Sequence, residues 1–294
     1  MQEKERQEDR RVTVQTEDWH GYPCQKLEFE GHEAFLVFPK VRPNGYLAVK
    51  TEYWNAFPHA VEIPLLEKGF HLCYIRNDNR WGTDPDLDRK ARFVRSLQKE
   101  CGLKNQCVPV GMSCGGLIAI KFAAKYPDLV RCLYLDAPVV NYMSCPCGFG
   151  VGRPLSADNS EILNALGMES ISELLAYREM PLDRLPVLVE KRIPVVMVAG
   201  DSDTVVPFCE NGVFLQRAYE QAGIDLEVYI KPGCDHHPHG LEEPEPVVKF
   251  ILRYCDRINH IDQAIYESEQ ELSNGAEAVD AELVFAELEK KHFG

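Results

Sequence analysis

Cys107-Val-Pro-Val-Gly-Met-Ser113-Cys-Gly-Gly-Leu117-Ile-Ala-Ile-Lys-Phe-Ala-Ala124 decides how this chain folds. Within it, Gly111-Met112-Ser113-Cys114-Gly115 fits the pattern G-x-S-x-G. That pattern is common by chance, so its flanks carry the information. Gln106–Gly111 reads as a short buried strand, and a helix follows at once from Cys114 to about Tyr126. A chain turning that sharply strains the residue at the tip, and side chains two positions to either side would collide. Glycine at 111 and 115 relieves the collision, and Gly116 adds room. The Ser113 hydroxyl then stands exposed at a helix N-terminus, with the Cys114 amide aimed where an oxyanion forms. An ordinary glycine-rich turn is the bland alternative. A Cys114 nucleophile is another, but Cys114 is one past the tip and is expected to point back into the scaffold.

Working outward, Cys24–Glu30 and Glu33–Pro39 flank Glu30-Gly31 as a hairpin. Tyr46–Lys50, His71–Ile75, Val130–Leu135, Pro194–Ala199 and Leu226–Ile230 read as further strands. Helical spacing marks Ala60–Lys68, Asp84–Glu100, Glu210–Ala222 and Glu245–Tyr254. An antiparallel start followed by alternation predicts an α/β fold, a mostly parallel sheet with helices on both faces. Residues 141–191 interrupt the alternation with short helical segments and predict a small cap over the C-terminal edge of the sheet. One domain is expected over 11–266. An acidic amphipathic helix or tail over 267–294 carries Val279, Leu283, Val284, Phe285 and Leu288 partly on one face. Docking on its own domain is its simplest reading, and a homodimer contact or a loose tail are the alternatives.

Serine at its free pKa is a poor nucleophile and needs a base that a carboxylate orients. Two loops after late strands offer them. Gly200-Asp-Ser-Asp203-Thr-Val-Val-Pro207 holds two aspartates. Asp203 lies farther into the loop and is the favoured acid, while Asp201 sits where it organises the turn. Lys231-Pro-Gly-Cys-Asp-His236-His237-Pro-His239-Gly240 holds three histidines. His236, three residues after Gly233, is the favoured base, with His237 and His239 as alternatives. Zinc on Asp235, His236, His237 and His239 is a weaker reading, because the chain has neither a helical H-x-x-x-H nor a spaced Cys/His set. No metal and no cofactor are expected.

With these three motifs in the order Ser, Asp, His, the chain resembles the α/β-hydrolase superfamily from roughly Cys24 to Tyr254. Within it the chain is similar to bacterial esterases near the prolyl-oligopeptidase-like and acetylxylan-esterase-like branches, on Thr51-Glu-Tyr-Trp-Asn-Ala-Phe-Pro58 and His236-His-Pro-His-Gly-Leu241. The resemblance implies a Ser113–His236–Asp203 triad working through an acyl-enzyme. One departure stands out: many lipases carry an HGGG-type motif after the third strand, and this chain has Lys50-Thr51-Glu52-Tyr53-Trp54. The second oxyanion donor is then an amide near Glu52 or Tyr53, or the Tyr53 hydroxyl, and a long-chain lipase is disfavoured.

Tyr53, Trp54 and Phe57 follow the strand bordering that hole, and Arg80-Trp81 follows the next. Loops after parallel strands gather where ligands bind. An aromatic rim of Trp54, Phe57 and Trp81, with Arg80 and His237 nearby, suits a sugar or aryl ester. The expected function is therefore hydrolysis of small-molecule carboxylic esters. A peptidase or amidase, an acyltransferase and an inactive binding protein on the same fold are the alternatives.

Bulk properties limit the rest. The 294 residues carry 46 acidic against 32 basic side chains, net −14, a surface that repels phosphate backbones and anionic membranes. Nucleic-acid and membrane partners are not expected. Met1–Arg10 has no apolar core of a secretory signal, and the 11 cysteines lack a secreted-scaffold rhythm. Reduced, mostly buried thiols and a cytoplasmic location are the expectation.

Overall fold

The computed structural model describes residues 11–255. The segment 267–294 and the expected domain end at 266 lie outside the described residues. Nine strands among the described residues form one sheet: β1 (Arg11–Trp19), β2 (Tyr22–Phe29), β3 (His32–Val37), β4 (Leu47–Lys50), β5 (His71–Ile75), β6 (Cys107–Met112), β7 (Leu133–Asp136), β8 (Val195–Gly200) and β9 (Leu226–Lys231). Their spatial order is β1-β2-β3-β5-β4-β6-β7-β8-β9. Pairing is antiparallel from β1 to β5 and parallel from β5 to β9. This is the α/β-hydrolase fold.

Alternation along the central strands divides the core. Leu47 and Val49 of β4 face one side with Leu97, Ile118, Phe122 and Leu215. Ala48 faces the other with Leu65, Val110, Phe250 and Ile251. Helices α1 (Glu62–Glu67), α2 (Asp84–Glu100) and α3 (Cys114–Lys125) precede the interruption at 141–191. That stretch contains α4 (Ser156–Leu166), α5 (Ile171–Ala176) and α6 (Pro181–Glu190). After it come α7 (Gly212–Ala222) and α8 (Glu245–Cys255). No helix among the described residues is long and apolar enough to cross a membrane.

The sequence reading misses β1. Its Gln15-Thr-Glu-Asp18 is polar and exposed, and Trp19 alone of that half is buried. Such a polar edge strand carries little hydrophobic signal and is recognisable only by what it pairs with.

The site is placed by topology. β4 and β6 are neighbours, yet the chain leaves β4 toward β5 on one side and leaves β6 toward β7 on the other. Loops after β4 and β6 part there and open a crevice at their C-terminal ends. A buried ion pair sets the first of these loops. Lys50 is fully buried, contacts Glu62 at the start of α1, and donates to the Ala56 carbonyl at 2.8 Å. Burial outweighs the lysine and raises the Glu62 pKa above its ordinary value. Removing one partner of such a pair strands a buried charge, at about 3–5 kcal/mol. Lys50→Met should therefore lower the urea midpoint of unfolding sharply, and Lys50→Met with Glu62→Leu should recover most of it. A single variant as stable as the wild type in urea denaturation would refute this account of the loop.

Candidate active site

Ser113 sits between β6 and α3 at φ 53° and ψ −121°, a left-handed conformation that only a sharp turn imposes on a serine. Four backbone bonds hold it there. Its amide donates to the Asp136 carbonyl at 2.8 Å, and its carbonyl accepts from Gly116, Val139 and Leu117 at 3.0, 3.1 and 3.4 Å. Close approach explains two glycines. A Cβ at 111 would stand 2.3 Å from the Gly115 carbonyl oxygen, and one at 116 would stand 2.6 Å from Pro138. Position 115 is less tight than the sequence reading holds, since a Cβ there would meet the Thr51 hydroxyl at 3.1 Å.

The structure brings Ser113, His236 and Asp203 together. The serine hydroxyl donates to His236 Nε2 at 3.1 Å, and His236 Nδ1 donates to Asp203 Oδ2 at 2.8 Å. Asp203 Oδ1 accepts the Val205 and Val206 amides at 2.8 and 2.7 Å. Burial alone would raise the Asp203 pKa. The histidine bond, its positive field and the two amides outweigh it and hold the carboxyl below its ordinary value. The loops that carry Asp203 and His236 are also joined directly. Asp201 accepts from the Gly233 amide at 2.7 Å, Ser202 donates to the Cys234 carbonyl at 3.0 Å, and Asp235 accepts from the Thr204 amide at 2.8 Å. Asp201 is thus a turn organiser, and Asp235 ties the same two loops together.

A second aspartate–histidine pair lies beside the first, unforeseen in the sequence. His239 Nδ1 donates to Asp136 Oδ1 at 2.8 Å, while Asp136 Oδ2 accepts from the Gly240 amide at 2.5 Å and the Tyr134 hydroxyl at 2.8 Å. Asp136 is fully buried. Desolvation pushes its pKa up, but these donors hold it below the ordinary value. It therefore binds the elbow through its carbonyl and the loop of His236 and His239 through its carboxylate. The only sequence signal was an aspartate ending a buried strand.

On the oxyanion side, Cys114 opens α3 and its thiol is buried. Desolvation pushes that thiol up to about 11, so it is no competing nucleophile at neutral pH. The Tyr53 hydroxyl lies beside the Cys114 thiol and the Arg80 guanidinium, and burial raises its pKa. Glu52 turns aside: its Oε2 accepts from Asn77 at 2.5 Å, and its Oε1 accepts from the Tyr53 amide at 3.2 Å. The Thr51 amide is spent on the Val110 carbonyl at 3.0 Å.

The expected aromatic rim needs correction. Trp81 is fully buried, edge-on to Tyr142. Trp54 stacks at 4.9 Å on Trp19 and Phe35 and at 5.5 Å on Tyr74, pinning the loop to the N-terminal strands. Both are packing residues, because loop position names a sheet edge but not the direction of a side chain. Arg80 is not a free cation. It chelates Glu161 at 3.0 and 2.6 Å and reaches Asp158 at 3.1 Å, both on α4. Phe57 remains at the site, partly exposed and stacked at 5.6 Å on His237. His237 is exposed, and desolvation followed by the neighbouring His236 and His239 lowers its pKa.

Comparison with known proteins bears on the family and the fold. The model of the prolyl oligopeptidase family matches residues 77–257, more than half of the chain. Acetyl xylan esterase 1 from Thermoanaerobacterium sp. JW/SL YS485 is 16% identical, with a TM-score of 0.58 over 84% of this chain and 88% of that one. Est1E from Butyrivibrio proteoclasticus is 18% identical, with a TM-score of 0.50 over 83% and 99%. Acylaminoacyl peptidase from Pyrococcus horikoshii is 12% identical, with a TM-score of 0.58 over 92% of this chain but 44% of that one. At these identities the likeness is one of fold.

If Ser113 is the reactive group, a fluorophosphonate probe labels the wild type and leaves Ser113→Ala untouched. Asp203→Asn should retain the fold but slow labelling and turnover by about 10⁴-fold, the cost of a wrong histidine tautomer. Label retained by Ser113→Ala would sink the assignment.

Proposed function

The chain belongs to the prolyl oligopeptidase family, and from that premise we propose that this serine hydrolase cleaves carboxylic esters bearing small, uncharged acyl groups. The observation that carries the reading is the charge balance of the acyl side. Arg80, the cation beside Tyr53 and Cys114, is neutralised by Glu161 and Asp158. An acyl group held there meets no unpaired charge from this cluster. With Trp54 and Trp81 packed away, support for a sugar or aryl alcohol comes from Phe57 and His237 alone.

The mechanism follows from the geometry. His236 Nε2 takes the Ser113 proton as the hydroxyl oxygen attacks the acyl carbon. Asp203 holds the Nδ1 proton and stabilises the imidazolium. The carbonyl oxygen, now negative, is bound by the Cys114 amide and the Tyr53 hydroxyl. Tyr53 is the preferred second donor because its own amide and that of Thr51 already have partners. Collapse expels the alkoxide, which takes the proton back from His236. Water, deprotonated by His236, then attacks the acyl-enzyme and releases the carboxylate and Ser113.

Amide cleavage is the second reading, favoured by the family match itself. The two separate on paired substrates. Turnover of p-nitrophenyl acetate should exceed that of acyl p-nitroanilides, and dominant anilide cleavage would overturn the ester reading. Tyr53→Phe should lower kcat by about 10²-fold with little change in KM, the cost of one oxyanion donor. Unchanged kcat would transfer the role to the Glu52 amide.

A further inference from the structure

We propose that His236, His237 and His239 form a binding site for a divalent transition metal of the zinc type, and that its occupancy switches the enzyme off by capturing the base. The inhibitory half rests on His236 being the base; the metal site does not.

The sequence argued against a metal because the histidine spacing matches no familiar ligand pattern. The fold supplies what spacing does not. One ring nitrogen from each histidine lies within 4.8 Å of those of the other two. Two of the rings are already oriented by carboxylates. Asp203 Oδ2 and Asp136 Oδ1 each accept from an Nδ1 at 2.8 Å, on His236 and His239 respectively. Each bond leaves the Nε2 of its ring without a proton; on His236 that lone pair accepts the Ser113 hydroxyl, which a metal would displace. A carboxylate behind a histidine is the arrangement that fixes tautomer and raises basicity around bound metals. Both rings are buried, whereas His237 is exposed and gives the ion its entry.

The donor set selects the ion. Three imidazoles suit zinc, copper or nickel and offer nothing to magnesium or calcium, which want oxygen. A tetrahedral zinc with Zn–N near 2.0–2.1 Å sets its nitrogens about 3.4 Å apart, so the rings need to close by at most about 1.4 Å. The fourth position falls to solvent or to the Ser113 hydroxyl, which stands 3.1 Å from His236 Nε2. A metal on that nitrogen occupies the lone pair that otherwise takes the serine proton.

The test uses the full chain freed of metal with EDTA. Zinc is titrated by equilibrium dialysis and cobalt by its visible band, while fluorophosphonate labelling reports Ser113 without assuming a substrate. The expected result is one zinc per chain, a four-coordinate cobalt band, and labelling slowed at least 10-fold and restored by EDTA, with magnesium inert. His237→Ala, read as the ratio of its own rates with and without zinc, should raise the inhibitory midpoint at least 10-fold. Ser113→Ala should still bind cobalt. If it does so through His237 while no protein is ever labelled, the hydrolase reading falls and the metal site stands. Absence of the cobalt band, or a midpoint unmoved in His237→Ala, would overturn the site. Zinc bound without slowed labelling would overturn the switch.

Discussion

A serine held at φ 53° between a strand and a helix is strained, by about 1–3 kcal/mol for such a conformation. Much else in the molecule answers to that one residue. Its amide needs the Asp136 carbonyl, so β6 must run beside β7. Its carbonyl needs Gly116, Leu117 and Val139, so α3 must begin at once and the chain after β7 must fold back over it. The approach of Pro138 to Gly116 and of Gly115 to Gly111 follows from the same packing. The surrounding hydrogen bonds over-determine the turn, which is the condition for strain to persist in a stable fold.

The sequence made the positions of Ser113, Asp203 and His236 legible because each lies in a local pattern: a glycine-spaced serine after a buried strand, and polar loops after two later strands. Most helices and strands were legible from periodicity. What it hid was long-range or directional. His239 and Asp136 are 103 residues apart, and nothing near either one announces the pair. Trp54 and Trp81 were placed at the correct sheet edge, but which way an aromatic ring faces depends on neighbours from other elements. Arg80 was placed beside the rim, but its partners come from α4, about eighty residues downstream, and no local pattern names them.

Although the chain carries a net charge of −14, charge close to the chemistry is matched group by group. Lys50 faces Glu62, Arg80 faces Glu161 and Asp158, and two aspartates face two histidines. Buried charges are tolerated when paired and hydrogen-bonded. The pairs also do spatial work: Lys50 fixes the loop of Tyr53, and Arg80 fixes α4 beside it.

The bonds between the loops that carry Asp203 and His236 have a mechanical meaning. Asp201 to Gly233, Ser202 to Cys234 and Thr204 to Asp235 merge two excursions of the chain into one rigid piece. The machinery then has two parts, the elbow and this double loop, whose separation has to be set by a contact that reaches both. Asp136 grips both, its carbonyl on Ser113 and its carboxylate on His239 and Gly240. One buried side chain at the end of β7 therefore acts as the gauge block that sets the gap a proton must cross.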